Sequence, residues 1–219
     1  ERILACAGIP VATIFTSCRP EDLGCAAPYT ITANPDLTTP WGEPAGSLLG
    51  IDRTLQTISG ISALTGGGFP EIIRNEAINA KERISRAADK FLRRFDPPSV
   101  AVFGEFSYAD YACRILDQYL DANITVLGSR NRPGSTRFRV AGATSLDSVK
   151  DLLAQDPPDL IIGSSYEQML LPGTAFVPFT YPLRGVVRLR DQPLIGLQGE
   201  LGLMEDVLNA CRDHAVTME

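Results

Sequence analysis

The sequence predicts an α/β chain built on a doubly wound parallel sheet, preceded by an N-terminal partial domain and long connecting helices. Three observations carry this. From Asp96 onward, short apolar, β-branched runs alternate with helix-periodic stretches of about 10–15 residues, the pattern of parallel strands joined by right-handed crossovers. Residues 50–94 hold two helix-periodic stripes with no strand between them. The composition, 44% apolar and 21% charged over 219 residues, fits one large domain or two small ones. It excludes disordered, collagen-like and disulfide-scaffold chains.

Residues 2–15 are apolar and partly β-branched, broken by Gly8 and Pro10, and predict a strand and a turn. Residues 16–47 carry Pro20, Pro28, Pro35, Pro40 and Pro44 and read as irregular chain with at most one short strand, near Tyr29–Thr32. Ile51, Leu55, Ile58, Ile61 and Leu64 then mark one helix face, stopped by Gly66, Gly67 and Gly68. Pro70 and Glu71 open a second helix whose stripe runs Ile73, Ala77, Ala80, Ile84, Ala87 and Phe91. Its other side holds Arg74, Lys81, Arg83, Arg86, Lys90, Arg93 and Arg94, which reads as a solvated face with i,i+4 pairs or as a docking face for an acidic partner.

Beyond Pro97 and Pro98, SVAVFG predicts a buried strand, and Ser107-x-x-Asp110 a cap for the helix YADYACRILDQYL. ANITVLGS and TRFRVAGA predict the second and third strands. Thr144-x-x-Asp147 predicts the cap of the helix LDSVKDLLAQ, DPPDLIIGSS a fourth strand, and Ser164-x-x-Glu167 the cap of a short helix. AFVPFTYP is the fifth strand, and LIGLQGE leads into a last helix, LGLMEDVLNACRDHA. The division expected is an irregular remnant of a preceding domain over 1–49, a helical connector over 50–96 and a C-terminal sheet domain over 97–219.

The net charge of −6 argues against nucleic-acid binding, which needs a basic face. No run of 18 apolar residues is present, so no membrane span is expected. The chain starts at Glu1 without a charged leader, which reads as a soluble fragment or a processed product, and the composition reads as that of a cytoplasmic α/β protein. Cys113 and Cys211 fall in helix-like apolar patterns and read as core. Cys6, Cys18 and Cys25 could ligate iron or zinc, but their spacing matches no recognised site. The single histidine, His214, sits near a helix end, which excludes a multi-histidine metal centre within this chain.

In an open parallel sheet, ligands sit beyond the carboxyl ends of the strands. The loops there are Gly104–Ser107, Gly128–Gly134, Gly163–Tyr166, Tyr181–Gly185 and Gly196–Gly202. None carries a nucleotide fingerprint, and Glu105 stands where a phosphate loop needs glycine, so neither NAD nor ATP is expected. The Gly163–Tyr166 loop could offer hydroxyls to an anion or only cap a helix. The Gly196–Gly202 loop could approach a cofactor or only turn the chain.

Several segments together resemble a family. Gly50-Ile51-Asp52-Arg53-Thr54 with Leu55, Ile58, Thr65 and Gly66, and Pro70-Glu71-Ile72-Ile73 with Glu76, resemble two helix openings of nitrogenase component 1 proteins, although Ala77 stands where arginine is usual. Val100–Glu105, Asp159–Tyr166, Val177-Pro178 with Tyr181-Pro182, and Gly196–Gly199 with Leu203, Leu208 and Asn209 resemble later segments in the same order. The likeness covers about residues 46–212. It is nearer the β-type subunit, since Ile195 falls where the α-type has a cofactor-binding histidine.

The resemblance implies Rossmann-like domains and a subunit of an oxidoreductase that takes part in ATP-driven, low-potential electron transfer to a substrate or metallocofactor. It implies two partners: a homologous component 1 subunit, in a heterodimer or tetramer, and an ATP-hydrolysing iron–sulfur reductase protein. The bridging iron–sulfur cluster belongs to the full-length complex. Its cysteines lie in an N-terminal half read as absent here, so this chain alone is expected to be inactive and to hold no cofactor. The alternatives are a non-catalytic metallocofactor-assembly scaffold and a small-anion binding module. No catalytic or metal-ligating residue is assigned. The family-like loop residues Glu105, Ser107, Ser164, Ser165, Tyr166 and Gly199 are the candidates for facing a cofactor.

Overall fold

The structure is a computed structural model and describes residues 2–11, 27–37, 42–64, 69–187 and 194–218. Cys18, Cys25 and the glycine stop at Gly66–Gly68 lie outside the described residues. The chain forms two compact units, Glu1–Lys81 with Pro193–Glu200 and Glu82–Gln192 with Leu201–Glu219. Two long helices, α3 (Glu71–Leu92) and α7 (Gly196–Met218), contribute residues to both.

The first unit opens with α1 (Arg2–Cys6), a helix where the apolar run predicts a strand. Leu4 is buried with Ile58 and Ile73, and Ile3 and Ala7 pack beside them. That is one helical face, so the period that decides is 3.6 and not 2. The Arg2 guanidinium grips both carboxylate oxygens of Glu76 at 2.9 and 2.7 Å. This contact holds the Glu76 carboxyl below the usual carboxylate range. β1 (Tyr29–Thr32) stands where expected, but it pairs in parallel with an unexpected strand, β2 (Glu43–Ser47). Pro44 and Gly46 conceal β2 in the sequence.

Gly46 has φ +127°, and a Cβ there would collide with the Thr57 hydroxyl of α2 (Gly50–Leu64). That hydroxyl donates to the Ser47 carbonyl at 2.8 Å and accepts the Ser47 N–H at 3.0 Å, so it splices helix to strand. On α3 the buried stripe is Ile73, Ala77, Ala80, Ile84, Ala88 and Phe91. Ala87, assigned to the stripe from the sequence, faces solvent. Its basic side is solvated and laced with pairs, Glu71 with Arg74 and Glu82 with Arg86.

The second unit is a five-stranded, all-parallel sheet of β3 (Ser99–Gly104), β4 (Asn123–Ser129), β5 (Val140–Gly142), β6 (Leu160–Gly163) and β7 (Ala175–Pro178), in the order β5-β4-β3-β6-β7. The third strand is shorter than TRFRVAGA suggests. α4 (Phe106–Leu120), α5 (Leu146–Gln155) and α6 (Ser165–Leu170) make the crossovers. Because crossovers are right-handed, connections running outward in opposite directions from β3 put helices on opposite faces. Ala101, Phe103, Val126 and Ile161 form one core cluster with Val149 and Leu153 of α5. By strand alternation Val100, Val102, Leu160 and Ile162 face the other side, and all are buried.

Two expected caps shift by one or two residues. Ser145, not Thr144, caps α5, with Ser148 closing the capping box. The residue at the N-cap of α4 is Glu105, so Ser107 lies inside the first turn. Ser164 and Glu167 do form the capping box of α6. Gly199 lies within α7, which starts at Gly196, earlier than the sequence suggests.

Two outcomes follow from this packing. A Cβ on Gly128 would fall inside van der Waals contact with the Phe103 ring. Gly128→Ala should therefore destabilise by about 1–3 kcal/mol in urea unfolding, and Phe103→Leu should relieve part of that penalty. Burial pushes the Cys113 thiol far up and the Cys211 thiol up to about 12, whereas Cys6 is exposed. The thiolate is the nucleophile, so alkylation at about pH 8 should label Cys6 and spare Cys113 and Cys211 until the chain unfolds, as read by peptide mass spectrometry.

Candidate functional site at the carboxyl edge

The strand order reverses between β3 and β6, and the carboxyl ends of these two strands mark the switch-point crevice at which an open parallel sheet receives ligands. Arg130, at the end of β4, is anchored there by its N–H to the Gly104 carbonyl at 2.9 Å. Its Nη2 donates to both Glu167 carboxylate oxygens at 2.7 and 2.9 Å and to the Ser164 hydroxyl at 3.1 Å. Its Nη1 donates to the Tyr181 carbonyl at 3.1 Å. One guanidinium thus ties together the segments following β4, β6 and β7.

Glu167 is only 2% exposed. Its carboxylate also accepts the Ser164 N–H at 2.7 Å and the Ser164 hydroxyl at 2.6 Å. Gly163 permits this approach, since a Cβ there would lie 3.0 Å from Glu167 Oε2. The Ser165 N–H donates to the Pro182 carbonyl at 2.9 Å. The Ser165 hydroxyl accepts the Arg184 N–H at 2.5 Å and donates to the Arg184 carbonyl at 3.1 Å. Arg184 in turn lies 5.7 Å from the centre of the partly exposed Tyr166 ring. The Tyr181–Pro182 peptide is cis, and the Tyr181 side chain is 84% exposed. The Thr180 hydroxyl is buried with no partner among the described residues.

At the neighbouring loop, Glu105 is extended and exposed, and its side chain makes no cap bond. The Phe106 N–H is met instead by Asn131 Oδ1 at 2.7 Å. Ser107 is half-buried. Ser164 and Ser165 are therefore spent on holding loops, while Glu105 and Tyr166 reach solvent. Gly199 belongs to the first unit, where its N–H bonds the Ile195 carbonyl at 3.1 Å. Beside it the buried Glu200 carboxylate accepts the Ile51 N–H at 2.9 Å and caps α2.

The sequence reading named the Gly128–Gly134 loop without singling out Arg130 or Asn131 within it, and it missed Thr180. Arg130 follows a strand end directly, the one signal that could have marked it. It also missed a cavity of about 580 Å³ at the opposite, amino end of the strands, lined by Phe91, Phe95, Pro98, Asp159, Cys211 and His214 among others.

Among the described residues no three His, Cys, Asp or Glu side chains are placed to hold a metal. Two buried thiols with raised pKa and one exposed cysteine are not the donor set of an iron–sulfur cluster, so the described part of the chain does not fit one. No helix among the described residues is long and apolar enough to cross a membrane.

Comparison with known proteins agrees with the family and the fold read from the sequence. A search of curated proteins gives no match. Among solved structures, the chain is similar to one described as "Nitrogenase Cp1 at pH 6.5", with a TM-score of 0.63 and 19% identity over 76% of this chain. It spans 40% of that protein's length. At this identity the likeness shows the fold, a Rossmann-like doubly wound sheet. The family model described as nitrogenase component 1 type oxidoreductase matches residues 37–212, and the chain belongs to that family.

Proposed function

We propose that this chain is part of a component 1-type oxidoreductase subunit that receives low-potential electrons in an ATP-driven complex and passes them to a reducible substrate or metallocofactor. The family match over residues 37–212 carries this reading. In it, the chain supplies scaffold and interface and no redox centre of its own. Its partners are a homologous component 1 subunit and a separate ATP-hydrolysing iron–sulfur protein, and the complex works in the cytoplasm. The carboxyl edge of the second unit faces the reacting group, and the side chains that reach it are Glu105 and Tyr166. Ser164, Ser165 and Ser107 support the edge from behind, and Gly199 serves α7 in the first unit.

The test is made in the full-length subunit, reconstituted with its homologous partner and the reductase. Glu105→Ala and Tyr166→Phe should keep the melting temperature within about 2 °C and lower the ATP-dependent reduction rate. Ser165→Ala should lower the melting temperature by several degrees, because it strands the Arg184 N–H and carbonyl, while leaving the rate per folded molecule nearly unchanged. Undiminished rates in both Glu105→Ala and Tyr166→Phe would place the reacting group elsewhere.

A further inference from the structure

The crevice where the strand order reverses is built as an oxyanion site. The Arg130 guanidinium donates to the Glu167 carboxylate at 2.7 and 2.9 Å, and the Ser164 N–H and hydroxyl donate to the same carboxylate at 2.7 and 2.6 Å. Gly163 clears the approach, since any Cβ there would crowd the bound oxygen at 3.0 Å. In the doubly wound fold this is the position at which a ligand's charged group is received. Here the group received is the chain's own.

We propose that Glu167 is an internal oxyanion, whose carboxylate fills the switch-point site so that the native crevice takes no phosphate-bearing ligand and Arg130 acts as a positioning residue for the loops after β6 and β7. Three observations support this. Glu167 is 2% exposed, so its carboxylate depends on protein donors in place of bulk water. Its carboxylate collects two contacts from Arg130 Nη2, one from a hydroxyl and one from a backbone N–H, charge-assisted donors that suit a free carboxylate or phosphate equally well. The same guanidinium reaches the Tyr181 carbonyl, so the seated carboxylate fixes the direction in which Arg130 points. The inference rests on these contacts and not on the proposed electron-transfer role, so a protein that failed to transfer electrons would leave it standing.

Removing the internal anion should unmask the site. Thermal unfolding of the full-length protein is compared for wild type, Glu167→Ala and Arg130→Met/Glu167→Ala in sodium chloride, sodium acetate and inorganic phosphate at matched ionic strength. Glu167→Ala should lower the melting temperature by roughly 10 °C in chloride, because a guanidinium is left without its partner. Acetate supplies the deleted carboxylate and should restore at least half of that loss. Restoration by phosphate as well supports the same site with looser size selection. The double variant should show no restoration, and wild type no shift in acetate or phosphate beyond that in chloride. Equal shifts in wild type and Glu167→Ala, or restoration that survives loss of Arg130, would overturn the proposal. If Glu167→Ala does not fold in chloride, refolding yield across the three anions is read instead. A yield that rises with acetate supports the internal oxyanion, and equal yields refute it.

Discussion

A buried carboxylate is the constraint around which the second unit is arranged. An ionised carboxylate taken out of water without partners is among the costliest features a fold can carry. Glu167 lies at 2% exposure, and four residues are committed to making it tolerable. Gly163 gives it room, Ser164 offers both hydroxyl and N–H, Arg130 adds the counter-charge, and Tyr181 turns its carbonyl toward the same guanidinium. Breaking such a pair by removing one partner costs about 3–5 kcal/mol, whereas its net worth against an apolar replacement is small. The pair therefore serves geometry more than stability. It decides where three loops end.

The first unit solves a related problem in the same way. Its short parallel pair, β1 and β2, has too few ladder bonds to stand alone. The Thr57 hydroxyl joins it to α2 by meeting both backbone groups of Ser47, and only a glycine at position 46 leaves space for that hydroxyl. The first turn of α2 is then closed from far along the chain, by the Glu200 carboxylate on the Ile51 N–H. Side chains distant in sequence stand in for backbone partners that local structure does not provide.

This explains what the sequence could and could not disclose. The five-stranded sheet was legible because each strand is a compact apolar run and each crossover helix keeps its period, as in SVAVFG followed by YADYACRILDQYL. The short helix α1 was not, since five residues fit a strand or a helix equally well until Leu4 meets Ile58 and Ile73. β2 was hidden by Pro44 and Gly46, residues that argue against a strand unless one knows that a threonine hydroxyl occupies the missing Cβ position. Caps drifted because Thr144 and Ser145 are chemically alike, and only the partner Ser148 chooses between them. At the site, the local pair Ser164 and Glu167 was visible as a capping box. Arg130, 37 positions before Glu167, was not, because no local pattern links a strand end to a carboxylate two strands away.

The arrangement also limits where function can reside at this edge. A carboxylate already seated on the guanidinium sets an internal anion against any incoming phosphate, which agrees with the lack of a glycine-rich phosphate loop at Gly104–Ser107. Recognition at the edge then falls to what stands outside the crevice: the exposed carboxylate of Glu105, the Tyr166 ring under Arg184, and the protruding Tyr181. These groups lie on loops and helix starts held by buried contacts, so their positions are set before anything binds. A rigid rim around a closed centre keeps Glu105, Tyr166 and Tyr181 available for contact without any rearrangement of the sheet behind them.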